Sequence, residues 1–162
     1  MVKIILGIDP GLADTGYGVI KVAGAELTCL TYGSIKTAAG SELIARLEIL
    51  HTELDKIIKK YQPTLAAIEQ LFFNKNVRTA LIVGQARGVV LLTLQQNKLP
   101  VIDFTPAAVK RAVTAYGQAS KNQVQKMVKL TLHLNELPRP DDAADALAVA
   151  ISAVNSRLCL KN

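Results

Sequence analysis

Short apolar runs separated by turn-forming residues mark the first 37 positions of the chain. Residues 3–8 ("KIILGI"), 17–22 ("YGVIKV") and 26–37 ("ELTCLTYGSIKT") are such runs. Their length, their β-branched residues and the glycines between them predict three β-strands. The segment "DPGLADTG" is the predicted turn after the first strand, and residues 23–25 form the next turn. Three consecutive strands with such short connections indicate an antiparallel meander.

The hydrophobic period changes after residue 40, from alternation to steps of three and four. This period predicts an amphipathic helix over residues 41–61, with Ser41 as its N-cap and Pro63 marking its end. The residues that carry the period are Leu43, Leu47, Leu50, Leu54, Ile57 and Tyr61.

The rest of the chain alternates between short apolar strands and helical segments. Strands are predicted at 64–70 and 99–104, and helices at 74–97, 105–117, 119–134 and 141–158. Thr105 and Pro106 form a helix start. We write the order as β-β-β-α-β-α-β-α-α, which predicts one α/β domain over residues 1–162, with a mixed five-stranded sheet flanked by helices.

Two glycines, Gly84 and Gly88, lie on one face of the helix predicted at 74–97. A face without side chains allows another helix to approach closely. The pattern leaves open whether that helix belongs to the same chain or to a second subunit.

Basic residues are concentrated in the second half of the chain. The net charge of the 162 residues is +6, yet the segment from Lys75 to Lys129 alone has nine basic residues against one acid, Asp103. Ordinary solvated helix faces would also give such a segment, but clustered Lys and Arg residues are typical of proteins that bind phosphates. The charge pattern therefore favours a nucleic acid as partner.

The cysteines and the N-terminus suggest a cytoplasmic protein without a membrane segment. Cys29 and Cys159 form no CxxC pair and no disulfide framework, so a reducing compartment fits. The first apolar run, in "MVKIILGIDPG", is too short to cross a membrane, and no cleavage pattern follows it.

Acidic residues interrupt the hydrophobic pattern at three places. Asp9 ends the first strand, Glu69 ends the fourth, and Asp141, Asp142 and Asp145 lie in the first turns of the last helix. Each position has an ordinary explanation, because Asp before Pro-Gly suits a type II turn and acids at a helix N-terminus are favoured by the helix dipole. Asp145, one turn further in and flanked by alanines, is harder to explain in this way.

A metal centre would explain these acids together. Divalent ions such as Mg²⁺ take carboxylate oxygens, and two ions about 4 Å apart can support phosphodiester cleavage. Carboxylates from separate elements repel one another when crowded, so a bound cation is the expected partner. An acidic pocket within a basic surface is the arrangement that a nuclease requires.

Five segments of the chain, in order, closely resemble the bacterial Holliday junction resolvase family RuvC, which is part of the ribonuclease H-like superfamily. They are "GIDPGLADTGYGVI", "AIEQLFFNKN", "GQARGV", "GQASKNQVQKMV" and "DDAADALAVAI". The resemblance extends from residue 3 to about residue 155. It implies a ribonuclease H-like fold, a homodimer, and paired symmetric cleavage of four-way DNA junctions in recombination and DNA repair.

The resemblance also implies which residues hold the metal. The family's metal-binding and catalytic acids fall on Asp9, Glu69, Asp142 and Asp145, for one or two Mg²⁺ ions that Mn²⁺ can replace. Asp141 directly precedes Asp142 in the sequence, so either Asp141 or Asp142 remains possible as the ligand. The family further suggests contact with the RuvAB branch-migration complex.

The expected DNA contacts come from the same resemblance. Phe72 matches an aromatic residue that stacks at the junction, and Phe73 could share that role. Lys121 is expected to neutralise the scissile phosphate and thus to be catalytic as well as DNA-binding, and Lys110 to position the backbone. Lys75 and Arg78 are further expected phosphate contacts.

Three other functions fit parts of the sequence. The first turn also resembles that of sugar kinases and actin-like ATPases, which need two such domains. A nuclease for RNA–DNA hybrids would use the same acids, although Phe72 and the "GQARGV" helix favour a junction. A DNA-binding module without activity would explain the basic segment but leaves the acids without a purpose.

Overall fold

The computed structural model describes residues 2–71, 77–154 and 156, with side chains except those of residues 77–79. In these ranges the chain forms a sheet with helices on both faces. The strands are β1 (Val2–Asp9), β2 (Asp14–Ala23), β3 (Glu26–Lys36), β4 (Leu65–Glu69) and β5 (Val101–Phe104). The helices are α1 (Leu43–Tyr61), α2 (Val77–Gln96), α3 (Pro106–Thr114), α4 (Lys121–Thr131) and α5 (Asp141–Ser152).

The sheet is mixed, with strand order β3-β2-β1-β4-β5. The first three strands form the predicted antiparallel meander, and β4 and β5 continue from β1 in parallel. Ile8 of β1 pairs with Ile68 of β4, so the next residues, Asp9 and Glu69, leave the sheet at the same edge. The topology therefore brings together two acids that are 60 positions apart in the sequence.

Each face of the sheet has its own hydrophobic core. Successive side chains of a strand point to opposite faces, so Ile5 of β1 belongs to one core and Leu6 to the other. The core with Ile5 includes residues of α3, α4 and α5, and the core with Leu6 includes residues of α1 and α2. Burial on both faces explains why β1 and β4 are almost continuously apolar.

The order β-β-β-α-β-α-β-α-α counts only two helices after β5, whereas the three segments predicted as helices at 105–117, 119–134 and 141–158 each form one in the structure. Ala115 adopts a left-handed conformation and ends α3, and its N–H donates to the carbonyl of Arg111. Ser120 then begins α4 with a capping box, in which its hydroxyl accepts from Gln123 N–H and the Gln123 side chain accepts from Ser120 N–H. The turn between these two residues separates α3 from α4.

Two predicted boundaries are wrong for local reasons. Ser41 is not the N-cap of α1, since the helix begins after Glu42, whose carbonyl accepts from the N–H of Arg46. The Ser41 N–H is instead bonded to the carbonyl of Ala38 in a turn. Strand β2 begins at Asp14 rather than at residue 17, because the segment after Asp14 already pairs with β1 and β3. The predicted cap Thr105 is confirmed, with its hydroxyl accepting from Ala108 N–H at 3.1 Å.

The last helix is shorter than the prediction of 141–158. It ends at Ser152, and Ala153 and Val154 form a turn whose N–H groups bond to carbonyls of the final helical residues. Residues 155, 157 and 158 lie outside the described residues. Among the helices that are described, none combines the length and the apolar character needed to span a membrane.

Helix α5 lies directly on the sheet because β1 and β2 have glycines beneath it. A Cβ atom on Gly7 would lie 2.0 Å from the carbonyl oxygen of Ala146, and one on Gly16 would lie 2.0 Å from that of Asp142. Backbone atoms cannot give way as the end of a side chain can. The two glycines therefore set the distance of α5 from the edge of the sheet.

We expect Gly7→Ala and Gly16→Ala each to destabilise the protein by about 2–3 kcal/mol, since the added methyl group must push α5 away from the sheet. Chemical denaturation followed by circular dichroism measures this change. Gly40→Ala is the control, because a Cβ at Gly40 meets nothing within 4 Å. Equal stability of Gly16→Ala and Gly40→Ala would contradict the close contact between α5 and β2.

Candidate metal centre

Three carboxylates meet where β1 ends and α5 begins. Asp9, Asp142 and Asp145 each offer an oxygen atom, and these atoms all lie within 4.8 Å of one another. Asp9 is the last residue of β1, and the other two lie in the first turns of α5, three positions apart on one face. Gly16, the partner of Asp9 in the antiparallel ladder, lies beneath Asp142 and allows this approach.

Glu69 is the fourth acid of the site, at the end of β4. Among the described residues it is not part of the close trio, although electrostatic repulsion links it to Asp9 and to Asp145. Burial, and then the neighbouring charge of Asp145, raise the pKa of Glu69 above its usual value. The charge of Glu69 in turn contributes to the raised pKa of Asp9.

Asp9 has the most strongly perturbed acidity at the site. Burial, and then the charges of Glu69, Asp145 and Asp142, together raise its pKa to about 8. A carboxyl group so placed keeps a proton near neutral pH unless a cation replaces it. The site is therefore arranged for a positive charge close to Asp9.

Lys121, at the first position of α4, supplies part of that positive charge. Its Nζ lies 3.1 Å from Asp145 Oδ2 and 3.4 Å from Asp141 Oδ2. Partial burial lowers the pKa of Lys121, but the hydrogen bond to Asp145 and the two negative charges outweigh burial and raise it. For Asp145 burial dominates, so its pKa is raised despite the lysine.

Asp141 is not part of the trio. Its Oδ1 accepts from Nε2 of Gln125 at 3.1 Å and from the guanidinium of Arg139. The Gln125 bond is the main reason that the pKa of Asp141 is lowered, and Lys121 and Arg139 add to it. Of the two adjacent acids, the structure therefore places Asp142 with Asp9 and Asp145, and places Asp141 in a network of hydrogen bonds.

A pocket of about 230 Å³ opens beside the acids. Glu69 and Asp145 line it together with Lys110 of α3 and Lys121 of α4. Its remaining walls are apolar, from Pro106, Val109, Val124 and Ala148. The structure thus brings the two predicted lysines to the predicted acids.

Four of the predicted DNA contacts are not placed by the structure. Phe72, Phe73 and Lys75 lie outside the described residues, and the side chain of Arg78 is not described. Nor do all the basic residues of the segment 75–129 share one surface. Arg87, for example, is paired with Asp103 at 2.7 Å rather than directed to the pocket.

Two residues of the site were not predicted from the sequence. Gln125 and Arg139 hold Asp141, and Gln125 is buried although it is polar. Gln125 follows Lys121 by one helical turn, and this spacing is the signal that could have identified it. Arg139 lies in an irregular segment before α5, where no periodicity predicts its direction.

The donor atoms fit a hard divalent cation. Carboxylate oxygens of Asp9, Asp142 and Asp145, with Glu69 nearby, are the ligands that Mg²⁺ and Mn²⁺ accept. The cluster is held by a strand end and a helix, so its members are fixed by the backbone. The described residues can therefore hold a metal ion at this edge of the sheet.

Comparison with known proteins gives a consistent result. A family model described as crossover junction endodeoxyribonuclease RuvC matches residues 5–153. The protein of that name from Halothermothrix orenii is 54% identical over 153 residues, which cover 94% of this chain and 93% of the relative. Its counterpart from Heliobacterium modesticaldum is 53% identical over 94% of each chain.

A solved structure shows the same architecture. Thermus thermophilus RuvC in complex with a Holliday junction substrate matches with a TM-score of 0.89 and 33% identity, over 94% of this chain and 93% of that chain. The mixed sheet flanked by helices is thus confirmed as the ribonuclease H-like fold that the resemblance implies. With this sheet, its acidic edge and these matches together, the chain belongs to the RuvC family of crossover junction endodeoxyribonucleases.

Proposed function

We propose that this protein is a metal-dependent endonuclease that resolves four-way DNA junctions by paired, symmetric phosphodiester cleavage during recombination and DNA repair. The observation that carries the proposal is the trio of Asp9, Asp142 and Asp145 within 4.8 Å, beside a pocket with two lysines. Membership of the RuvC family supports the choice of a junction, since a relative of 33% identity was solved with a Holliday junction substrate.

The proposed cofactor is Mg²⁺, one or two ions per subunit, which Mn²⁺ can replace. Asp9, Asp142 and Asp145 would hold it, and Glu69 would complete the site from the end of β4. When bound, such ions activate water and stabilise the leaving oxygen of a phosphodiester. The protein's own part is to hold four carboxylates at one place despite their repulsion.

Lys121 and Lys110 would bind the DNA strand that is cut. Both line the pocket beside Glu69 and Asp145, where the scissile phosphate has to lie if the acids are to act on it. Asp145 and Asp141 hold the Lys121 ammonium group in place, which leaves the third of its three protons for a phosphate oxygen. Lys121 would thus stabilise the charge that develops during cleavage, and Lys110 would position the backbone.

Further contacts with the junction are proposed for the segment after Glu69. Phe72 or Phe73 would stack on unpaired bases at the junction centre, and Lys75 and Arg78 would bind phosphates. The support is their position in the sequence, because β4 delivers the chain to the acidic edge and these residues follow directly.

We propose that the protein is a homodimer that uses α2. Leu81, Gly84, Gly88 and Leu92 share one face of this helix, opposite the buried residues Ala86, Val90 and Leu94. Both leucines are largely exposed, and a Cβ at either glycine would meet open space. A symmetric pair of such faces suits two-fold cleavage. Action in the cytoplasm together with RuvAB is proposed on the family resemblance alone.

The proposed metal ligands are tested by two neighbouring substitutions. In Mg²⁺ the protein should make paired nicks in a four-way junction but not in linear duplex or RNA–DNA hybrid, and EDTA should abolish them. Asp142→Asn should lower the cleavage rate at least about 100-fold, because it removes a ligand. Asp141→Asn, the matched control, should stay within about fivefold, because Asp141 contacts Lys121, Gln125 and Arg139 instead.

Junction binding in EDTA separates catalysis from folding in this experiment. Both variants should bind the junction as the unmodified protein does, since phosphate contacts rest on the lysines. Equal loss of cleavage in both variants would contradict the assignment of Asp142. Cleavage of hybrid but not of junction would contradict the proposed substrate.

Stability without metal should fall as the pH rises. The pKa of Asp9 is about 8 in the folded protein and close to 3.8 in the unfolded chain, so between these values the folded state holds a proton that the unfolded state has released. One such proton lowers the unfolding free energy by about 1.4 kcal/mol per pH unit. Thermal melting in EDTA from pH 5 to pH 8 measures this slope.

Asp9→Asn keeps the shape of the protonated group and removes its titration. In EDTA at pH 8 this variant should be more stable than the unmodified protein, with a smaller slope, while Glu69 and Asp145 maintain the remaining pH dependence. Mg²⁺ should stabilise the unmodified protein more at pH 8 than at pH 6. The same slope in both proteins would show that Asp9 does not retain a proton.

The proposed dimer is tested by Leu81→Glu. Leu81 and Leu130 are each 64% exposed, so they are matched positions on α2 and α4. Glu at position 81 would place two charges in the symmetric contact, and sedimentation should show a shift from dimer to monomer. Leu130→Glu should leave the dimer intact. Dissociation by Leu130→Glu and not by Leu81→Glu would place the contact elsewhere.

A further inference from the structure

A second pocket lies on the far side of α4 from the acidic site. Its volume is about 400 Å³, within the usual range of ligand sites of about 300–1,000 Å³. The turn before α4 contributes Tyr116 and Ala119 to its walls, and α4 contributes Gln123, Lys126, Met127 and Leu130. We refer to these six residues as the apolar groove.

Helix geometry separates the apolar groove from the metal centre. Each residue turns the helix by about 100°, so the groove residues of α4 lie about 140–240° around the axis from Lys121. The side that includes Lys121 carries the buried Val124, Gln125 and Val128. Lys121 and the apolar groove therefore lie on opposite sides of α4.

The apolar groove exposes several neighbouring hydrophobic side chains to solvent. Leu130 is 64% exposed, Tyr116 is 59% exposed and Met127 is 36% exposed, and they are neighbours along one pocket. Scattered exposed hydrophobic residues are ordinary, but a contiguous concave set of them marks an interaction site. Met and Tyr are also the residue types that are enriched at protein interfaces.

The charge around the apolar groove is of one sign. The segment 105–135, which contains α3, α4 and the turn between them, has no Asp or Glu. Of its five Lys and Arg residues, Lys110 and Lys121 line the acidic pocket, which leaves Arg111, Lys126 and Lys129 outside it. Lys126 lines the groove itself, and Lys129 follows it on the same helix. A partner with negative charge is therefore attracted to this face.

We propose that the apolar groove binds a peptide segment of a partner protein that presents apolar side chains flanked by carboxylates. Apolar anchors would fill the space between Tyr116 and Leu130, and the carboxylates would pair with Lys126 and Lys129. A peptide fits better than a DNA arm, because phosphates need cations and hydrogen-bond donors where the lining is mainly apolar. Since α4 carries Lys121 on its other side, a partner bound here stays attached while the junction is cut.

Labelled synthetic peptides test the apolar groove with the full chain. The probe alternates Asp and Glu with Leu and Phe, and three counterparts replace its acids with Asn and Gln, its acids with Lys, or its apolar residues with Ser. Fluorescence anisotropy should show micromolar binding of the probe that weakens with salt. Each counterpart should bind at least about tenfold more weakly, because both the apolar and the charged contacts are needed.

Substitutions locate the binding. Leu130→Glu and Lys126→Glu should each lower the affinity for the probe at least about tenfold. Ile44→Glu, at a position of α1 that is 79% exposed, is the control and should leave the affinity unchanged. Junction cleavage should remain at its normal rate in all three variants, which also shows that they fold.

Three results would overturn the proposal. The first is a probe that binds no more tightly than its counterparts, or equally well to Leu130→Glu and to the unmodified protein. The second is weaker junction binding in Leu130→Glu together with displacement of the probe by junction DNA, which would make the groove a nucleic-acid surface. The third is loss of the dimer in Leu130→Glu, which would assign the groove to a second copy of the chain.

Discussion

The repulsion among four carboxylates at one edge of the sheet is the interaction on which the structure depends. Asp9 is surrounded by Glu69, Asp142 and Asp145, and its burial together with their charges raises its pKa to about 8. Such an arrangement costs folding free energy without a cation, because a group that would ionise in the unfolded chain must stay neutral. The cost is tolerable only because a rigid frame keeps the acids from moving apart.

That frame consists of two parallel strands and one helix. The parallel pairing of β1 with β4 fixes Asp9 beside Glu69, and the absence of side chains at Gly7 and Gly16 lets α5 bring Asp142 and Asp145 to them. The burial of α5 against both strands supplies the opposing free energy, since nine of its residues are buried. The helix that carries half of the acids thus also anchors them.

The sequence was informative wherever a periodic pattern decides the structure. The strands, the amphipathic α1 and the Thr105 cap follow from such patterns, and the acids stood out because they interrupt them. The choice between Asp141 and Asp142 could not be made in this way, since neighbouring helical residues point about 100° apart and only the packing of α5 decides which one faces Asp9. The Ser41 cap is wrong because α1 begins only after Glu42, while Ser41 closes a turn onto the carbonyl of Ala38, and helix propensity does not contain that turn.

Lys121 adds little to the stability of the fold, and its placement is explained by the proposed function of the site. Its ammonium group bridges Asp141 and Asp145, yet the side chain is 52% exposed, and ion pairs of such exposure contribute little to folding. Lys110 and Lys121 together face four carboxylates, so two negative charges remain unmatched. A divalent cation would make up this difference. A lysine that neutralises only part of the acidic charge and does little for the fold is then best explained by the phosphate that it would meet, which links the basic side of the pocket to the acidic one.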